Sequence, residues 1–189
     1  LDVLERHTRP NREVALWRAG DLAHRFWGEV ERPQFDQPAG NLGDRLRSAF
    51  VHGLADDAAV VILGTDSPTL PPRLVDAAFD ALKTVPVVLG PACDGGYYLI
   101  GMRGAVADVF PPDMPWGTDQ VLCVTLDALE RDAVPYGLLD FWYDVDRPAD
   151  LRQLRSHLPA LERTGAPRPT HTEELLKKYS ALIDAPGDH

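Results

Sequence analysis

The stretch Ala59-Val60-Val61-Ile62-Leu63-Gly64-Thr65-Asp66-Ser67-Pro68 decides the fold class. Its first five residues are apolar and three of them are β-branched, a run too short for a helix and suited to a strand buried on both faces of a parallel sheet. Gly64 ends the strand and permits close approach of a ligand to the backbone. In open α/β sheets ligands bind beyond the carboxyl ends of the strands, so the polar residues just after this strand are the first place to look for chemistry. Asp66 there has two readings. It is either a rigidly held ligand for a hard cation such as Mg²⁺ or an Asx-type cap for the helix that follows.

Working outward, 71–82 reads as a helix opened by two prolines, with Leu74, Val75, Ala78, Phe79 and Leu82 on its inner face. Residues 85–89 form the next strand, and a short Gly-rich connection leads to a strand at 97–102, which makes the sheet mixed. A helix at 119–131, a late strand at 138–143 and helices at 148–161 and 172–183 complete the C-terminal side. Upstream, the end of a helix at 1–7 precedes a strand at 13–17 and a helix capped by Asp21 that carries Leu22, Phe26 and Val30. A loop over 34–43 and a helix at 44–54 follow. Strands alternating with helices predict an α/β fold, a Rossmann-like mixed, mostly parallel sheet sandwiched by helices. Residues 1–163 are expected to form one domain, with 164–189 a C-terminal helix and tail.

The 189 residues carry 19 basic and 29 acidic side chains, a formal charge of -10. That balance excludes a general nucleic-acid binder, which needs a basic face. No apolar run approaches the ~20 residues of a membrane span. Cys93 and Cys123 make no CxxC pair, and the six histidines form no HxH or HExxH pattern. A reducing cytoplasm is the expected compartment, and any metal should be held by carboxylates. Oligomeric state, homo-oligomers included, is left open.

Two further polar segments fall at strand ends. Asp94-Gly95-Gly96 lies between two strands, where glycines expose backbone N–H groups to an anion or simply make a tight turn. Tyr143-Asp144-Val145-Asp146 ends the late strand; the two aspartates share one face of extended chain and repel unless a cation compensates, or one of them caps the helix at Pro148.

Taken in order, Gly64-Thr65-Asp66-Ser67-Pro68-Thr69-Leu70-Pro71, Gly90 to Gly101, Trp116-Gly117-Thr118 and Tyr143 to Leu151 resemble the selenodomain-associated (radical-SAM-associated) transferases. These form a glycosyltransferase-A-like branch of the nucleotide-diphospho-sugar transferase superfamily. More distantly the chain is similar to guanylyltransferases acting on phospholactate and on the molybdenum cofactor. The resemblance implies a nucleotide-sugar or NTP donor, a small-molecule acceptor, and Mg²⁺ or Mn²⁺ held by Asp66, Asp146 and Asp144, with Asp146 preferred in the second segment. It implies Asp94 as the catalytic carboxylate and Gly95, Gly96, Tyr97, Trp116 and Thr118 on the acceptor side. Gly40, Asn41, Leu42, Gly43, Arg45 and Thr65 are implied to approach the nucleotide.

The family opens with a strand and a Gly-containing loop bearing Lys-Thr-Arg that cradles phosphates. No such motif occurs here and the chain starts at Leu1, so the first strand and phosphate loop are expected upstream of it. Arg45 and Arg73 are the basic residues placed to compensate in part. Glycosyl transfer is the expected reaction, nucleotidyl transfer the alternative, and a non-catalytic scaffold on a degenerate transferase fold the reading from another class.

Overall fold

The computed structural model describes residues 2–54 and 58–180. Helix α1 (Asp2–His7) leads to β1 (Leu16–Arg18) and β2 (Gln34–Asp36), then α2 (Leu42–Gly53), β3 (Ala59–Leu63) and α3 (Pro72–Ala81). Strands β4 (Val87–Pro91) and β5 (Tyr97–Arg103), α4 (Val121–Arg131), β6 (Tyr136–Leu138), α5 (Pro148–Thr164) and α6 (Thr170–Lys178) follow.

The main sheet has the order β3-β5-β4-β6. Strand β5 pairs antiparallel with both β3 and β4, whereas β4 and β6 are parallel, so β3, β4 and β6 run one way and β5 runs against them. The sheet is mixed, with the majority direction parallel, as expected. Strands β1 and β2 form a separate parallel pair.

Alternation along the strands divides the core between two faces. Val87, Leu89, Ile100 and Met102 pack with Phe50 of α2 and Val121 and Leu129 of α4. Val88 and Leu99 turn the other way, onto Leu74, Val75 and Ala78 of α3. A third cluster joins α5 and α6 through Leu154, Leu158, Leu161 and Leu176, with Val145 against it.

Several expectations are corrected. Residues 34–36, expected within a loop, pair as a strand with β1. The helix expected after Asp21 is a short 3₁₀ turn, Arg25–Glu29, with no buried residue. The late strand lies at Tyr136–Leu138, and 139–143 continue as irregular chain apart from a bridge between Ala92 and Trp142. Strand β3 is half-buried along its length, because only its β5 edge is paired among the described residues. The last helix ends at Lys178, and the expectation for 181–183 lies outside the described residues.

Candidate active site

Because β3, β4 and β6 share a direction, their carboxyl ends open on the same side of the sheet. The loops there carry Asp66, Asp94, and Asp144 with Asp146, and backbone hydrogen bonds stitch them together. Val145 donates its amide to the Asp66 carbonyl (3.0 Å), Trp142 to Pro91 (3.1 Å) and Cys93 to Trp142 (3.1 Å).

Carboxylate oxygens of Asp94, Asp144 and Asp146 all lie within 4.8 Å of one another. Asp66 stands outside that set but close enough for Asp146 and Asp94 to act on it. Surrounding protein raises the Asp66 pKa above the usual carboxylate range, and repulsion from Asp146 and Asp94 adds to the rise. Asp144 is raised for the same reasons, burial first, then Asp94, Asp146 and Asp66. Each charged neighbour acting on either group is another carboxylate. Mutual repulsion of this kind has to be offset by a cation or by protonation. Carboxylate oxygens gathered in this way suit a hard cation such as Mg²⁺ or Mn²⁺.

The helix-cap readings are not realised. Helix α3 is preceded by Pro71 with no side-chain cap, so Asp66 is not its cap. Ahead of α5 it is Asp150 that receives the amides of Asp146 (3.1 Å) and Arg147 (2.7 Å). Asp144 and Asp146 are thereby released from capping. Asp150 sits at the third helical position, where an acidic side chain commonly reaches back to the helix start, so the signal was present in the sequence.

Gly95 has φ +92°, and a β-carbon there would lie 2.3 Å from the Asp119 carbonyl oxygen. The loop is thus pressed against the start of α4, and Leu122 donates its amide to Gly95 (2.9 Å). Gly96 donates its amide to Asp94 Oδ1 (2.8 Å), an Asx turn that orients the carboxylate. The two glycine amides expected to face an anion are engaged within the loop, Gly95 reaching Ala92 at 3.4 Å.

The remaining site residues divide between neighbourhoods. Thr65 and Asp66 line a cavity of about 480 Å³ shared with Val145, Leu151 and Leu176. Asn41 caps α2 by accepting from the Asp44 amide (3.0 Å) and donating its own to the Asp44 carboxylate (3.1 Å). Gly40 has φ +120°, and a β-carbon there would meet Asp44 at 2.5 Å. Leu42 is left 48% exposed beside them. Gly43 abuts Trp116, so the helix start and the Trp116 loop meet. Thr118 donates to the Pro115 carbonyl (2.8 Å) and receives the Gln120 amide (3.3 Å), holding the turn before α4. Tyr97 packs, partly buried, against the core cluster beside α4, and Tyr98 is buried in the cluster beneath α3. Arg45 reaches Gln37 at 3.4 Å, and Arg73 pairs with Asp140 at 3.0 Å.

Residues 2–118 match the family model of uncharacterised proteins conserved in bacteria, DUF2064. The chain belongs to the DUF2064 family. Among solved structures, the DUF2064 chain is similar to a protein from Desulfovibrio desulfuricans G20 that is provisionally designated a nucleotide-diphospho-sugar transferase. The two are 31% identical with a TM-score of 0.76, over 96% of this chain and 80% of that one. That likeness places the DUF2064 chain in the nucleotide-diphospho-sugar transferase superfamily. No curated protein gives a significant match. Among the described residues, no helix is long and apolar enough to cross a membrane.

Proposed function

We propose that this chain is a metal-dependent transferase using a nucleotide-activated donor, a glycosyltransferase of the selenodomain-associated kind. The observation that carries the reading is the clustering of Asp94, Asp144 and Asp146, with Asp66 close enough for Asp146 and Asp94 to act on it and with none of Asp66, Asp144 and Asp146 capping the helix that follows it. A scaffold gains nothing from holding these carboxylates together against their repulsion.

Asp66, Asp144 and Asp146 would hold Mg²⁺ or Mn²⁺. When bound, the cation supplies electrostatic stabilisation of charge growing on the donor's diphosphate. Asp94, whose Oδ1 accepts the Gly96 amide, would take the acceptor hydroxyl's proton as that oxygen bonds to the sugar's anomeric carbon. The bond from this carbon to the diphosphate breaks at the same time, releasing the nucleoside diphosphate. The loop from Gly40 to Arg45 meets the nucleotide, and Trp116 beside Gly43 borders the acceptor, a small molecule.

The test is product analysis with nucleotide sugars and NTPs in the presence of Mn²⁺ and a panel of hydroxyl acceptors. Nucleoside diphosphate release from a nucleotide sugar supports glycosyl transfer. Pyrophosphate release from an NTP would replace it with nucleotidyl transfer, whereas failure to form either product would contradict the transferase reading.

A further inference from the structure

We propose that Thr69, Tyr143 and His157 form a hydrogen-bond relay that sets the spacing between Asp66 and the Asp144–Asp146 pair. Thr69 lies three residues after Asp66, and Tyr143 immediately precedes Asp144. Thr69 is fully buried. It receives the Trp142 indole N–H (3.2 Å) and donates its hydroxyl to the Tyr143 oxygen (2.9 Å). Tyr143 Oη in turn lies 2.7 Å from Nδ1 of His157, in the middle of α5. The rings of Trp142, Tyr143 and His157 pack on one another with centroids 5.6–5.9 Å apart.

The relay as assigned runs from Thr69 to His157: Thr69 gives its hydroxyl proton to the Tyr143 oxygen, and Tyr143 gives its own to Nδ1, which is then bare. This direction requires the neutral Nε2–H tautomer of His157. Burial lowers the His157 pKa and the nearby Arg6 guanidinium lowers it further, which favours a neutral ring. Arg6 also binds the Pro68 carbonyl (2.7 Å), fastening the same loop from α1.

The relay is the side-chain counterpart of the Val145 amide to Asp66 carbonyl bond. Together they tie two otherwise irregular loops to each other and to a helix. None of the three side chains belongs to the carboxylate set, so they are positioning residues. Partners that orient the ligands of a metal typically alter its affinity by about 10–100-fold when removed. The inference rests on the cation-binding reading given above.

The experiment is calorimetric titration of the full chain with Mn²⁺ alone, comparing wild type with Tyr143→Phe, His157→Leu and His157→Asn. Asn places an acceptor oxygen close to where Nδ1 stands, whereas Leu removes it. Expected are about tenfold weaker binding for Tyr143→Phe and His157→Leu and recovery toward wild type for His157→Asn. Each variant's melting curve must show a cooperative transition. In parallel, ¹⁵N spectra of the wild type should show His157 unprotonated at Nδ1, a signature lost only if the relay runs the other way. Wild-type Mn²⁺ affinity in Tyr143→Phe, equal loss in both His157 variants, or a protonated Nδ1 overturns the relay. Absence of Mn²⁺ binding by the wild type would instead overturn the cation site itself, and the relay's role with it.

Discussion

The amide of Val145 is hydrogen-bonded to the carbonyl of Asp66 at 3.0 Å. This bond joins the loop after β3 to the segment leading into α5, and alternation along that segment sorts its side chains. Val145 turns to the leucine cluster of α5 and α6, while Asp144 and Asp146 gather with Asp94. The apolar residue anchors the segment and the two flanking carboxylates are left to the site.

Asp94→Asn keeps an acceptor for the Gly96 amide but removes the base. Turnover should fall at least ~100-fold, in line with typical general-base contributions, with nucleotide affinity changed less than about threefold. Steady-state kinetics beside calorimetry separates the two. A parallel loss of Mn²⁺ affinity would make Asp94 a ligand instead.

Asp66 and Asp144 have folded-state pKa values above their ordinary 3.8. The folded state therefore holds their protons more tightly than the unfolded chain, and metal-free stability should fall as pH rises from about 4 through the raised values. Melting curves in EDTA across that range check it. Asp66→Asn removes one source of the fall and should raise the metal-free Tm at pH 7 by ~2–4 °C. A lower Tm would mean that the carboxylate stabilises the fold.

Gly95→Ala meets both a left-handed φ and the Asp119 backbone at 2.3 Å. Strain of about 1–3 kcal/mol plus the clash should lower Tm by roughly 5–10 °C and displace Asp94, abolishing turnover. Differential scanning calorimetry and activity measure both. An unchanged melting curve would refute the close packing of this loop.

His7 is only 5% exposed, and neither ring nitrogen has a partner among the described residues. Burial lowers its pKa to about 4, with the Arg6 and Arg9 guanidinium groups adding to the drop. The unfolded chain binds the proton first, so this contribution to stability is present above the ordinary value of 6.5 and is lost as pH falls toward 4. His7→Phe should flatten that limb of the stability profile by thermal melting.

Much of this was legible in the sequence where local patterns coincide with tertiary demands. The Ala59–Leu63 run, the inward stripe of α3 and the Gly-rich turn before β5 each announce their element without help from distant residues. The 34–36 strand does not, since three residues gain strand structure only by pairing with β1. Leu22 and Phe26 carry helical spacing but find no core to bury against, and the helix expected there shrinks to a 3₁₀ turn. At the site, the four aspartates could be located; Asp150 at the third position of α5 carried the signal that frees Asp144 and Asp146 from capping. The Asp66 alternative is decided only by α3 being preceded by Pro71 without a side-chain cap. Tyr97, placed on the acceptor side by the resemblance, packs partly buried against the core cluster beside α4. The contact between Thr69 and Tyr143 joins loops 74 residues apart and leaves no local signature.

The most direct measurement is calorimetric titration of wild type and Asp66→Ala with UDP or GTP, with and without Mn²⁺. Mn²⁺-dependent nucleotide binding by the wild type, lost in Asp66→Ala, is the expected result. Nucleotide binding that ignores both Mn²⁺ and the substitution would contradict a cation held by these carboxylates.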